Sequence, residues 1–141
     1  MAESLEFSID LPVSPERVYR AWLDGYEHSR FTGKRAKIDA RVGGDYSTQD
    51  GFIHGKIESM TPFTRIVQTL RSGDFSAKDP DSKIELEFTP TCLGAEINLI
   101  HTGIPAGEAQ KYLQYWEKNV FKPLQDYFEK LVDGSAADQD G

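Results

Sequence analysis

The sequence has a single cysteine, no long apolar run and fewer basic than acidic residues. With only Cys92, the chain cannot form an internal disulfide, which fits a reducing compartment. No segment contains the roughly 18 consecutive apolar residues of a membrane-spanning helix. Residues 1–20 also lack the basic start and apolar core of a secretory leader. These absences predict a cytoplasmic protein.

The charge balance argues against two classes of partner. Lys and Arg total 16 against 23 Asp and Glu, which gives a formal net charge of -7. A chain of this charge is repelled at long range by nucleic-acid phosphates and by anionic lipid. We therefore expect neither nucleic acid nor a membrane as partner.

Length and composition predict one folded domain. The chain has 141 residues, of which 38% are hydrophobic and 28% are charged, values that are ordinary for globular proteins. A chain of this length can bury enough surface to fold on its own. We place the domain at residues 1–133 and expect a small, acidic, disordered tail at residues 134–141.

The signatures of common catalytic and metal sites are missing. There is no Gly-x-Ser-x-Gly elbow, and the glycine turns precede strands instead of helices, so they cradle no phosphate. The histidines His28, His54 and His101 lack the spacing of a local metal site. Cys92 lies at a predicted hairpin tip with no group nearby to lower its pKa. We expect no metal, no cofactor, and binding in place of catalysis.

The first 25 residues predict a strand followed by a short helix. Apolar and polar residues alternate over Leu5–Leu11, as in a half-buried strand. Ser14 can cap a helix that begins at Pro15, and Asp24-Gly25 provides a stop. Within that helix the apolar side chains recur at the three- and four-residue spacing of one buried face.

The remainder predicts an antiparallel meander closed by one long helix. Turn residues divide the chain after Lys34 into strand-length segments, and Asp50-Gly51 is the strongest hairpin signal. Apolar residues at helical spacing then extend from Gly107 to Leu131, with Pro123 expected to bend the helix. The fold class is therefore α+β, with about six to seven antiparallel strands packed against a long C-terminal helix.

Several short strings along the chain form a recognisable set: Ser14–Trp22, Arg41–Tyr46, Asp50-Gly51 with Gly55, His101–Pro105, and Trp116 with Phe121. In this order and spacing they resemble the family of activators of heat-shock-protein-90 ATPase, which has the START-like (SRPBCC) helix-grip fold. Many small bacterial members carry Trp-Phe-x-Pro where this chain reads Arg30-Phe31-Thr32-Gly33. The resemblance is therefore nearer to the C-terminal domain of the eukaryotic activator.

This resemblance implies a curved sheet wrapped around the C-terminal helix, with short helices after the first strand. It also implies a heat-shock-protein-90-type chaperone as a partner. Relatives in the wider superfamily use a cavity between helix and sheet for apolar ligands, so a small hydrophobic ligand is a second expected partner.

Strand alternation and helical spacing identify the side chains expected to bound such a cavity. They are Phe88, Leu99, His101, Tyr112, Tyr115 and Trp116. Two interpretations of His101 stay open: it anchors the following loop by hydrogen bonds, or it contacts a ligand. In an alternative function, a small cyclase-like or hydrolytic enzyme, His101 acts as general base opposite a second titratable group.

A basic segment stands out in this acidic chain. It consists of Arg30, Lys34, Arg35, Lys37 and Arg41. A solvated loop is one interpretation, and a contact surface for an acidic protein such as a chaperone is the other. The last helix also carries more aromatic residues than one face can hold, which makes a monomer or a weak homodimer the expected state.

Overall fold

The computed structural model describes residues 2–138, with side chains described up to residue 132. Its strands are β1 Glu3–Leu11, β2 Lys37–Ile38, β3 Asp45–Thr48, β4 Ile53–Thr61, β5 Arg65–Ser72, β6 Ser82–Thr91 and β7 Gly94–Ile104. Its α-helices are α1 Pro15–Leu23, α2 Gly25–Thr32, α3 Ala109–Trp116 and α4 Lys122–Asp138. A 3₁₀ turn covers Gln49–Gly51, and a π-helical turn covers Glu117–Phe121.

The strands form one sheet in the order β1-β7-β6-β5-β4-β3-β2, and every neighbouring pair is antiparallel. The α+β class and the predicted six to seven strands are confirmed. In the β6–β7 pair, Leu86 lies opposite Leu99 and Ile84 lies opposite His101. The inward row that the sequence predicts for these strands is buried, because alternate residues of a strand point to the same face.

The hairpin at Asp50-Gly51 is confirmed, but its loop is longer than a two-residue turn. Thr48 pairs with Ile53, so four residues, 49–52, connect β3 to β4. The backbone of Gln49, Asp50 and Gly51 has positive φ at all three positions. The turn therefore begins one residue before the Asp-Gly signal in the sequence.

Helix α1 begins as the sequence predicts, and the predicted stop at Asp24-Gly25 is also the start of the second short helix, α2. The Ser14 Oγ accepts a hydrogen bond from the Arg17 backbone N–H at 3.2 Å, and Pro15 is the first helical residue. Asp24 then caps α2, and Gly33 ends it in the left-handed conformation with φ of 76°. An ion pair between Arg17 and Glu27 links α1 to α2.

The C-terminal helix is divided in the middle. Pro123 has no backbone N–H and its ring crowds the carbonyl four residues earlier, and the π-helical turn lies just before it. Helix α4 continues to Asp138, beyond the Leu131 at which the apolar helical spacing of the sequence stops. The predicted tail stays an expectation, because residues 139–141 lie outside the described residues and no side chain is described beyond residue 132.

The core lies between this helix and one face of the curved sheet. From the helix side it contains Trp116, Val120, Leu124 and Phe128, each at most 3% exposed. The sheet contributes the inward rows of β5, β6 and β7, and α1 closes the same core with its buried face. This packing places the N-terminal turns of the C-terminal helix over the end of β7.

Candidate functional site

His101 lies at the centre of a buried hydrogen-bond chain. The Trp116 indole Nε1–H lies 3.1 Å from His101 Nδ1, and His101 Nε2 lies 2.8 Å from Ser82 Oγ. The Ser82 hydroxyl donates to the Leu70 carbonyl oxygen at 2.9 Å. These bonds join β5, β6, β7 and the C-terminal helix through one imidazole.

The partners determine the tautomer of His101. An indole N–H can only donate, so Nδ1 is the acceptor and the proton of the neutral ring resides on Nε2. The Ser82 hydroxyl, which uses its own hydrogen on the Leu70 carbonyl, accepts from Nε2. Burial lowers the His101 pKa from 6.5 to about 4, so the ring is neutral at pH 7.

This arrangement favours the anchoring interpretation of His101. Neither ring nitrogen has a free lone pair for a substrate proton, so the geometry does not favour a general base. The anchor differs from the expected one, because His101 binds the side chains of Ser82 and Trp116 instead of the loop that follows it.

Three other predicted cavity residues pack within the core. Phe88 is 3% exposed and stacks edge-on against Tyr19, and Leu99 is fully buried. The Tyr112 hydroxyl donates to Ser72 Oγ at 2.8 Å, and its ring is buried. Together with His101, these residues are not among those that line the interior cavity described next.

The interior cavity lies nearer to α1 and β3 than the sequence predicts. Its volume, measured as the space open to the centre of a water molecule, is about 10 Å³. Among the predicted residues it includes Tyr115 and Trp116. Its other lining residues are Trp22, Leu23, His28, Ile38, Tyr46, Thr48, Gln49, Ile53, Gln68, Ile84 and Val120. A space of this size holds about one water molecule.

Two surface pockets lie outside this cavity and share Phe52, Tyr115 and Asn119. One, of about 250 Å³, also includes Lys34 and Gln49, and the other, of about 230 Å³, continues along the C-terminal helix. The shared residues make the two pockets one groove between the 3₁₀ turn and the π-helical turn.

Sequence reasoning missed the polar residues of the cavity. The Trp22 indole donates to Gln68 Oε1 at 2.9 Å, and His28 Nδ1 lies 2.9 Å from the Trp22 carbonyl oxygen. Burial lowers the His28 pKa to about 4. Gln49 is 5% exposed although it stands beside a turn signal, which by itself predicts a surface position.

All five basic side chains of the segment are exposed. Arg41 pairs with Asp39, and the Arg30 guanidinium lies over the Tyr26 ring. The side chains of Lys34, Arg35 and Lys37 form no ion pair with any described residue. We call the surface formed by Tyr26, Arg30, Lys34, Arg35, Lys37, Arg41 and Val42 the basic face.

Two hydrogen bonds connect the backbone of Arg35, within the basic face, to Asp50 in the 3₁₀ turn. The Arg35 backbone N–H donates to Asp50 Oδ1 at 2.8 Å, and its carbonyl accepts from the Asp50 N–H at 3.1 Å. The basic face also presents apolar surface, since Tyr26 is 74% and Val42 is 59% exposed. Tyrosine and arginine, both of which the basic face exposes, are enriched at protein–protein interfaces.

Comparison with known proteins identifies the family. The family model described as "Activator of Hsp90 ATPase homolog 1-like protein" matches residues 12–129. The chain belongs to this family. Its sheet, long C-terminal helix and short helices constitute the START-like helix-grip fold, as the resemblance in the sequence implies.

Individual relatives of this Hsp90-activator family support the assignment. The chain is 28% identical over 120 residues to the human activator of 90 kDa heat shock protein ATPase homolog 1, and 24% identical over 127 residues to a Dictyostelium discoideum homolog. The alignments cover 82% and 89% of this chain. The chain spans only about a third of each relative's length, 34% and 33%.

The chain superimposes on a solved structure over nearly the whole length of both proteins. The crystal structure of an HSP90 activator from Plasmodium falciparum superimposes with a TM-score of 0.75 and is 26% identical. The superposition covers 93% of this chain and 96% of that chain. The fold of this family member is therefore that of an activator homologue.

No helix within residues 2–138 is long and apolar enough to cross a membrane. Among residues 2–132, whose side chains the structure describes, no group of three or more His, Cys, Asp or Glu is placed to hold a metal ion.

Proposed function

We propose that this family member is a non-enzymatic binding domain that docks on a heat-shock-protein-90-type chaperone through its basic face. The observation that carries the proposal is the run of Lys34, Arg35 and Lys37, three exposed cations that form no ion pair with a described residue in a protein of net charge -7. An acidic partner surface would complete these interactions.

Family membership supports the choice of partner. The relatives and the solved neighbour carry the description of activators of this chaperone. Because the chain spans about a third of the curated relatives, we propose binding and not stimulation of the ATPase as its own activity.

The two alternatives have less support in the geometry. An enzyme that uses His101 as a base would need a free lone pair on the imidazole, and the hydrogen bonds to Trp116 and Ser82 occupy both nitrogens. A purely apolar ligand among Phe88, Leu99 and His101 would need space where these side chains pack closely. Docking through the exposed basic face therefore has more support than either an enzyme or an apolar-ligand site.

Charge reversal tests the docking surface. We expect the double variant Lys34→Glu and Arg35→Glu to weaken binding to a purified heat-shock-protein-90-type chaperone by about tenfold at low salt, as opposite charges become like charges across the interface. Isothermal titration calorimetry would measure the dissociation constant. The loss should shrink as salt rises, since screening weakens exposed charge interactions.

A matched control separates local contact from total charge. Lys78 and Lys130 are exposed lysines outside the basic face. The double variant Lys78→Glu and Lys130→Glu changes the net charge by the same amount, from -7 to -11. Equal weakening by both double variants would show a general charge effect, and unchanged affinity in the first would refute docking at the basic face.

A further inference from the structure

A positively charged groove lies on the surface beside the basic face. It consists of the two joined surface pockets, of about 230 and 250 Å³, that share Phe52, Tyr115 and Asn119, and we call it the outer groove. Its lining includes three lysines and one aspartate, a formal charge of +2 in a chain of net charge -7. A local excess of positive charge in an acidic protein favours an acidic partner.

Two of the three lysines are available to such a partner. Lys34 and Lys118 are exposed, and neither forms an ion pair with a described residue. The third, Lys111, already pairs with Asp74 at 2.8 Å and with Glu108 at 2.6 Å. Lys34 and Lys118 line different pockets of the groove. An acidic occupant that contacts both must therefore lie across the residues that the pockets share.

The floor between these two lysines is aromatic. The rings of Phe52 and Tyr115 are half-buried, and their centres lie 5.7 Å apart. The Tyr115 hydroxyl forms no hydrogen bond with a described residue, and Asn119 uses only its Nδ2, which donates to the Tyr115 carbonyl oxygen at 3.3 Å. The floor therefore offers flat apolar surface together with a hydroxyl and an amide oxygen for the backbone of an occupant.

The length of the groove fits a short extended chain. Its lining follows the C-terminal helix from residue 111 to residue 119, about 12 Å at 1.5 Å per residue. An extended segment covers this distance with about four residues. Lys118 and Asn119 belong to the π-helical turn Glu117–Phe121, and such turns often occur at functional sites.

We propose that the outer groove binds an acidic, extended segment of a partner protein, with one large apolar side chain of that segment lying on Phe52 and Tyr115. Carboxylates on either side of the apolar residue pair with Lys34 and Lys118. The partner is the chaperone that docks on the basic face, because Lys34 belongs to both surfaces and makes them continuous. The inference rests on the proposed function for the identity of the partner, but the groove can be tested without the chaperone.

A titration with the capped peptide Asp-Glu-Phe-Glu-Asp tests the groove by itself. In ¹⁵N-labelled protein we expect saturable NMR shifts of the backbone amides of Phe52, Tyr115 and Asn119. The peptide Asn-Gln-Phe-Gln-Asn has the same size but no charge, and at low salt it should bind about tenfold more weakly. Absence of a saturable shift at the groove residues, or equal affinity for the two peptides, would overturn the proposal.

Matched variants make the test specific. Lys118→Glu should weaken binding of the acidic peptide about fivefold at low salt. Lys130→Glu makes the same change at an exposed lysine of the C-terminal helix outside the groove, and it should leave the affinity nearly unchanged. Equal weakening by the two variants would refute a local contact in the groove.

The same variants separate this proposal from docking on the basic face. In the chaperone titration, Lys118→Glu should also weaken binding, although this residue lies outside the basic face. If the peptide does not bind, the groove proposal fails and docking on the basic face is unaffected. If the peptide binds but the double variant Lys34→Glu and Arg35→Glu leaves the chaperone affinity unchanged, docking on the basic face fails and the acidic-segment site remains.

Discussion

Replacing His101 by alanine is expected to lower the free energy of unfolding by about 3–5 kcal/mol. The change empties a fully buried site, which costs a few kcal/mol, and it leaves the Trp116 indole N–H buried without an acceptor, which costs about 1–3 kcal/mol more. Urea denaturation followed by circular dichroism would measure the difference.

A milder variant separates the hydrogen bond from the packing. Trp116→Phe removes the indole donor but keeps an aromatic ring, so we expect a smaller loss than for His101→Ala. When His101→Ala and Trp116→Phe are combined, the loss of free energy of unfolding should be smaller than the sum of the two single losses, because the two residues share one hydrogen bond. A loss below about 1 kcal/mol for His101→Ala would contradict the anchoring role.

Acidification from pH 7 to pH 5 is expected to lower the free energy of unfolding by about 3–4 kcal/mol. Burial lowers the pKa values of His101 and His28 from 6.5 to about 4. Between pH 6.5 and 4 the unfolded chain therefore binds more protons than the folded one, so stability falls as the pH falls. Each histidine contributes about 2 kcal/mol over this interval, and above pH 6.5 the effect vanishes.

Between pH 7 and pH 5 the histidines titrate without interference from Glu27, the carboxylate bonded to Arg17 and Tyr127. Burial raises the pKa of Glu27, but the bonds from Arg17 and Tyr127 outweigh it and hold the pKa below 4.5. Its contribution is lost only as the pH falls further, below the window. His101→Gln should remove about half of the slope between pH 7 and pH 5. A flat profile in the wild-type protein would show that the histidines are not buried as neutral rings.

The fold could be predicted from the sequence because its signals are local. Ser14 and Pro15 specify the start of α1 within three residues, and the alternation in β6 and β7 specifies which side chains point inward. The π-helical turn just before Pro123 likewise lies where the missing N–H of a single residue predicts an irregular helix. Each of these features depends on neighbours in the chain.

The candidate site could be predicted only in part, because it is formed by contacts between residues that are far apart in the sequence. Alternation predicts that His101 points inward, but not that Ser82 and Trp116 occupy both of its nitrogens. The void lies beside the predicted residues Tyr115 and Trp116 but away from the other four, because the large side chains around His101 pack closely. Gln49 could not be found from the sequence, since a turn signal does not reveal that the preceding side chain faces the core.

The basic face is the central claim, and mapping the chaperone contact by NMR tests it most directly. Purified heat-shock-protein-90-type chaperone would be titrated into ¹⁵N-labelled protein at low salt, and loss of backbone amide signal would be recorded for each residue. We predict that the largest losses lie within residues 26–42. Losses confined to β1 or α4, or no loss at any residue, would contradict the account.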